Sequence, residues 1–144
     1  MKIAIIGSRQ CNEMLVNKLH QITTWCKEHN HTVLTGDLHG IDLVARQDCA
    51  QLHIPCSVYG AFHKFRFSNL GGHLEDCHFT DYTSRDCYMV DHSDMVIALW
   101  NGTSTGTRQA FQYARSLGKK TIVRTIPATH ISEQLTHNQS TSTL

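Results

Sequence analysis

Two stretches of this chain combine glycine, hydroxyl and cationic side chains as a phosphate-holding turn requires. They are Gly7-Ser8-Arg9 and Asn101-Gly102-Thr103-Ser104-Thr105-Gly106-Thr107-Arg108. In the second, Gly102 and Gly106 would let a ligand approach the backbone closely, and Thr103, Ser104, Thr105 and Thr107 offer hydroxyl donors. The segment runs straight into a predicted helix, whose first turn adds free N–H groups and a partial positive charge. A plain strand-to-helix turn with a Thr cap would use the same residues. A third turn, Gly36-Asp37-Leu38-His39-Gly40-Ile41-Asp42, has the same character, and the recurrence favours a binding role.

Single residues around these turns keep two readings each. Arg9 either pairs with a phosphate or fixes its loop. Arg85 and Arg108 are phosphate candidates or surface charges. Asp42 is either a favourable first-turn charge or a hydrogen-bond partner for a ribose hydroxyl or the neighbouring loop. Trp100, at the mouth of a strand, either stacks on a base or packs in the core. The predicted ligand set is Gly7, Ser8, Arg9, Gly36, Asp37, Gly40, Asp42, Arg85, Trp100, Asn101, Thr103, Ser104, Thr105, Gly106, Thr107 and Arg108.

Such turns need strands behind them. Lys2–Ile6 is a short apolar run that suits a strand buried on both faces. Cys11–His29 has apolar residues at helical spacing. Strand Thr32–Thr35, helix Gly40–Leu52 and strand Pro55–Tyr59 follow. A helix over Ser84–His92, strand Asp94–Trp100, helix Thr105–Leu117 and strand Lys120–Arg124 complete the pattern. The β-α-β-α-β order predicts a Rossmann-like three-layer α/β domain over 1–124, with a five-stranded, mainly parallel sheet and right-handed crossovers. Ligands of such sheets bind beyond the C-terminal strand ends, where strand order reverses. Gly60–Tyr82, carrying Phe62, Phe65 and Phe67, breaks the pattern and reads as a functional loop or lid. Residues 125–144 read as a polar tail.

Composition narrows the partners. The 144 residues carry a formal net charge of +1, so neither a nucleic-acid polymer nor a membrane surface is expected. No apolar run approaches the roughly 20 residues of a membrane span, and the N-terminal run lacks a cleavage site. A cytoplasmic protein is therefore expected. Six cysteines without an export signal read as reduced and mostly buried. His29-x-His31 and Cys77-His78 lack the spacing of a structural zinc site, so no metal and no cofactor are expected. A dimer or larger homo-oligomer is expected from the small core and the aromatic loop.

Ile5-Ile6-Gly7-Ser8-Arg9, Thr35-Gly36-Asp37-Leu38-His39-Gly40-Ile41-Asp42-Leu43-Val44-Ala45 and Asp94–Arg108, in that order, resemble the SLOG superfamily, most closely its YspA-like, YpsA-related standalone proteins. The resemblance covers residues 2 to about 124, apart from the Gly60–Tyr82 segment. It implies a Rossmann-like fold that binds nucleotides and nucleotide-derived signals. The superfamily includes the Lonely Guy phosphoribohydrolases, DNA-processing protein A and sensor domains of bacterial and phage-related immune systems; nucleoside deoxyribosyltransferases have a similar layout. Lonely Guy enzymes place a glutamate after their Gly-Thr pair, and deoxyribosyltransferases place a nucleophilic glutamate three residues beyond theirs. Here Gly106-Thr107 is followed by Arg108-Gln109-Ala110. Cleaving an N-glycosidic bond needs a carboxylate at the oxocarbenium-like centre.

The resulting expectation is non-catalytic binding of a nucleotide-derived small molecule, a cyclic nucleotide or an ADP-ribose-type signal. Its setting would be sequestration, as in a phage antiviral-defence sponge in the host cytoplasm. The alternative is an N-glycoside hydrolase acting on a nucleoside monophosphate or related nucleotide, with Asp37, Asp42, Glu75 or Asp86 supplying the acid. A third reading is an interaction subunit with a vestigial pocket.

Overall fold

The structure is a computed structural model that describes residues 1–76 and 79–126. Cys77, His78 and all of the expected tail beyond Ile126 lie outside the described residues. The elements run β1 (Lys2–Gly7), α1 (Glu13–Glu28), β2 (Thr32–Gly36), α2 (Ile41–Leu52), β3 (Cys56–Gly60), a single 3-10 turn (Ser68–Leu70), β4 (His73–Asp76), α3 (Tyr82–Asp91), β5 (Met95–Trp100), α4 (Thr105–Ser116) and β6 (Lys120–Thr125).

All strand pairs are parallel, in the order β4-β3-β2-β1-β5-β6. Alternating side chains of the central strands enter two separate cores, as the two-residue period of a strand requires. Ile3, Ile5, Met95, Ile97 and Leu99 pack with α1 and α2 through Leu15, Leu19, Ile41 and Ala45. Ala4, Ile6, Val96 and Ala98 pack with α3 and α4 through Met89, Val90, Ala110 and Phe111. A strand buried on both faces must be apolar throughout, which is why Ile3–Ile6 carries no alternation.

The sheet has six strands where five were expected. The extra one, β4, pairs with β3 at the sheet edge and lies inside the segment read as a loop. Its sequence, His-Leu-Glu-Asp, is short and polar. An edge strand needs neither a continuous apolar run nor a long one, so periodicity gives no signal for it. Helix α3 starts at Tyr82 rather than Ser84 because Asp81 caps it. The Asp81 carboxylate accepts from the Ser84 N–H at 2.6 Å and from the Ser84 hydroxyl at 2.8 Å. The hydrogen bond from that backbone N–H, more than any other cause, holds the Asp81 pKa below the ordinary value.

Two glycines set how closely β1 meets α2. A Cβ on Gly7 would lie 2.4 Å from Ile41 Cβ. Gly40 has φ of +78°, and a Cβ there would meet the carbonyl oxygens of Arg9 at 2.3 Å and Ser8 at 2.4 Å. Ile41 N donates to Ser8 O across the same gap at 3.3 Å. Gly40→Ala is therefore expected to cost at least about 2 kcal/mol in urea unfolding, from strain plus a backbone clash. Gly106→Ala, where a Cβ meets nothing within 4 Å, should stay within about 1 kcal/mol of the parent, on the stabilising side. Equal effects at the two positions would contradict this account of the β1–α2 contact.

Candidate functional site

Strand order reverses between β1 and β5: the chain leaves β1 toward β2 and leaves β5 toward β6. In open α/β sheets that reversal is where the ligand crevice lies, beyond the strand ends. Its two walls are tied to each other. Ser8 N donates to Leu99 O at 3.2 Å. Asn101 N donates to Ser8 Oγ at 3.0 Å, and Asn101 Nδ2 donates to Gln10 O at 3.1 Å.

The β5–α4 turn spends many of its polar groups on its own shape. Asn101 Oδ1 accepts from Thr103 N at 3.0 Å, Ser104 N at 2.9 Å and the Thr103 hydroxyl at 3.1 Å. Ser104 caps α4, accepting from Thr107 N at 3.4 Å and donating to Thr107 Oγ1 at 3.1 Å. Thr107 is buried. Trp100 donates from Nε1 to Ser104 O at 2.8 Å, and its ring packs edge-on against Phe111 with centroids 5.4 Å apart. Of its two readings, Trp100 takes the packing one. Thr103, Thr105, Gly106 and Arg108 remain exposed. The first-turn N–H groups of Thr105 and Gly106 have no intrahelical acceptor and point out of the helix end.

Beneath the crevice lies a buried charge cluster. Arg85 is only 1% exposed, so it is neither a surface charge nor a ligand-facing one. Its Nη1 donates to Tyr59 O at 2.7 Å and Asp37 Oδ1 at 3.1 Å, and its Nε donates to Asp86 Oδ1 at 2.8 Å. Asp42, also buried, accepts from Leu38 N at 3.2 Å and from the Thr35 hydroxyl at 3.3 Å. These partners make Asp42 a brace for the β2–α2 turn and leave it no open side for a ribose. Gly36 makes room for the cluster: a Cβ there would sit 2.5 Å from Asp42 Oδ2 and 2.7 Å from Arg85 Cζ. Burial pushes the Asp42 carboxyl up to about 7, against the pull of Arg85. Burial likewise raises Asp86, with Arg85 opposing. Burial disfavours the Arg85 charge, but Asp86 and Asp42 outweigh it and hold the guanidinium protonated.

The rim holds two residues that the sequence reading missed. Tyr82, the first residue of α3, is ringed by guanidinium carbons: Arg85 at 5.3 Å, Arg9 at 5.8 Å and Arg66 at 5.9 Å from its ring centroid. Arg66 Nη2 also donates to the Tyr82 hydroxyl at 3.1 Å. The Arg66 backbone is anchored from below, its N–H donating to Asp37 Oδ2 at 3.0 Å and its carbonyl accepting from Arg46 Nη1 at 2.7 Å. Among the described residues, no carboxylate pairs with the side chain of Arg9 or Arg66. The only sequence signal for Arg66 was its place in the aromatic segment, and nothing there distinguishes it from Lys64 or His63. Of Phe62, Phe65 and Phe67, Phe65 lies over Gly60 and Phe67 packs edge-on against His39. Phe62 packs edge-on against Tyr82.

The predicted ligand set thus divides. Gly7, Ser8, Gly36, Asp37, Gly40, Asp42, Arg85, Trp100 and Thr107 build the floor and walls. Arg9, Thr103, Thr105, Gly106 and Arg108 stay open to solvent, with Asn101 and Ser104 half-buried between them. Among the described residues no group of three or more His, Cys, Asp or Glu could hold a metal ion, and no helix is long and apolar enough to cross a membrane.

No protein-family model matches the sequence, and no curated protein matches it. Solved structures do match the fold. DNA processing protein A from Helicobacter pylori, described for its single-stranded DNA binding mode, is 16% identical with a TM-score of 0.72, covering 98% of this chain and 74% of its own. The molybdenum cofactor binding protein from Rippkaea orientalis is 18% identical with a TM-score of 0.73, covering 96% and 85%. The molybdenum cofactor carrier protein from Chlamydomonas reinhardtii is 14% identical with a TM-score of 0.71, covering 95% and 84%. The fold is therefore a Rossmann-like α/β fold with a parallel sheet, consistent with the SLOG-like fold the motifs resemble. The exclusion of a nucleic-acid polymer is corrected by the first neighbour, since a single-stranded-DNA-binding protein uses this fold. That exclusion rested on the net charge of +1. A whole-chain sum does not register cations gathered at one crevice.

The Asp42 shift has a sign that can be measured. Its folded pKa of about 7 lies above the ordinary 3.8, so the native state holds this proton more tightly than the unfolded chain. The contribution is greatest at low pH and is lost as pH rises toward 7, at up to about 1.4 kcal/mol per pH unit. Asp42→Asn removes that slope. Its stability relative to the parent should rise between pH 4.5 and pH 7.5 in urea titrations; a pH-independent difference would place the titration elsewhere.

Proposed function

We propose that the protein binds a nucleotide-derived, phosphate-bearing small molecule in the crevice between β1 and β5, and holds it without cutting it. The observation that carries this reading is the pair of guanidiniums, Arg9 and Arg66, facing Tyr82, with α3 tied to α4 through Thr83 and Gln109 and the Arg9 loop tied to the β5–α4 turn through Asn101. Phosphate suits two guanidiniums that have no carboxylate partner among the described residues and a helix end with unpaired N–H groups. The exposed Thr103 and Thr105 hydroxyls add neutral contacts. Fold neighbours that bind a molybdenum cofactor support small-molecule binding in general.

Holding rather than cutting is favoured by the carboxylates. Ala110, buried in α4, stands where the resembled deoxyribosyltransferases carry their nucleophile. Asp37 and Asp42 lie under the crevice, already hydrogen-bonded within the fold. A binder that retains an intact nucleotide signal would act by sequestering it, and membership of the SLOG superfamily is part of the same proposal.

The test is ligand recovery. The protein is incubated with nucleoside phosphates, cyclic oligonucleotides, ADP-ribose isomers and a short single-stranded DNA, then stripped by heat and its contents read by mass spectrometry. Intact small ligand returned stoichiometrically is expected. Free base accumulating with turnover would overturn the non-catalytic reading, and retention of the DNA alone would overturn the small-molecule one. Arg9→Ala and Arg66→Ala should each weaken binding about tenfold to a hundredfold, the worth of one charge-assisted hydrogen bond. Gly106→Val should block the site while leaving the fold intact, since nothing lies within 4 Å of the added Cβ. Unchanged affinity in all three would move the site elsewhere.

A further inference from the structure

Away from the crevice, the end of α2 meets the start of β3 and brings two thiols together. Cys49, buried on α2, and Cys56, the half-buried first residue of β3, lie close enough for each thiol to shift the other's titration. Neither is in a disulfide. A small cavity of about 50 Å³ lies beside them, lined also by Arg46, Leu70 and Gly72. It has room for one or two water-sized molecules.

Arg46 is the unusual wall. It is 2% exposed, and its two Nη atoms are committed to the carbonyls of Arg66 and Phe67 at 2.7 and 2.8 Å. Its Nε–H has no partner. A buried donor left unsatisfied costs free energy, and such a group calls for an occupant. An arginine with an orphan donor and two neighbouring thiols therefore line one cavity of peroxide size.

We propose that Cys49 and Cys56 are a hydroperoxide-reactive dithiol that closes to an intramolecular disulfide. The Cys56 thiolate attacks the terminal oxygen of the hydroperoxide. The O–O bond breaks, Cys56 becomes a sulfenic acid, and the departing oxygen leaves as water or alcohol after taking up a proton. The Cys49 thiol, once deprotonated, then attacks the sulfenic sulfur, forming the S–S bond and releasing water. In sum two thiols and one hydroperoxide give one disulfide, one alcohol or water, and one water. The Arg46 Nε–H is the donor available to the leaving oxygen. The neighbouring Cys49 thiol and, more weakly, the Arg46 charge hold Cys56 below the ordinary thiol value, against burial. Burial instead raises Cys11 and Cys87.

Peptide mapping reads the outcome. Trypsin cleaves after Arg46 and Lys64, so both thiols fall on peptide 47–64. The full-length protein is treated with hydrogen peroxide, alkylated without reductant and digested. The expected result is that peptide 47–64 loses two hydrogens and escapes alkylation, reversibly with dithiothreitol, at least about tenfold faster than Cys11 or Cys87 reacts. Cys49→Ser should stop the reaction at a sulfenic acid on Cys56, trapped by a 1,3-diketone probe, and Cys56→Ser should leave Cys49 a free thiol. Circular dichroism checks that both variants fold. The proposal is overturned if peptide 47–64 still takes two alkyl groups while Cys11 or Cys87 oxidises, or if folded Cys49→Ser gives no sulfenic adduct.

Discussion

The buried guanidinium of Arg85 is the contact on which the crevice depends. It reaches from α3 to the ends of β2 and β3, binding Asp37, Asp86 and the Tyr59 carbonyl with none of its charge left to water. A charge taken out of solvent is tolerable only when its partners are complete. The cluster thus fixes α3 against the sheet, and with it Tyr82 at the start of that helix. Asp37 uses its second oxygen to hold the Arg66 backbone. One buried ion-pair network therefore places two of the residues that border the crevice.

A division of labour follows from this. Groups with several protein partners are used up in building the turn: Asn101 shapes the β5–α4 loop, Ser8 ties the two walls, and Asp42 braces the β2–α2 turn. Groups with few partners face outward: Arg9, the Arg66 side chain, and the first turn of α4. Electrostatically the floor is acidic but neutralised from within, while the rim is cationic and open. That arrangement favours an anion above the floor and disfavours a free carboxylate within reach of it.

A second buried arginine links the crevice to the thiol pair. Arg46 holds the carbonyls of Arg66 and Phe67, so the segment that presents the Arg66 side chain rests on a residue that also walls the Cys49–Cys56 cavity. The segment between β3 and α3 is thus not a detached lid. It is fastened by Arg46 and Asp37 and closed at its far end by β4, which pairs with β3.

Local chemistry in the sequence determined much of this. Short apolar runs marked every strand but β4, helical spacing marked α1 and α2, and glycine with polar residues marked the turns at the ends of β1, β2 and β5. Those signals are short-range, so they survive in one dimension. Which polar groups face a ligand is a long-range matter. Arg85 meets Asp37 across 48 residues and Arg66 meets it across 29, and nothing in the sequence orders Arg85 inward and Arg9 outward. The short polar edge strand β4 gave no periodic signal either. The sequence by itself determined that turns of glycine and polar residues lie at the strand ends. The tertiary structure alone decided which cations remain free there, because a charge is buried or exposed according to partners that only folding brings within reach.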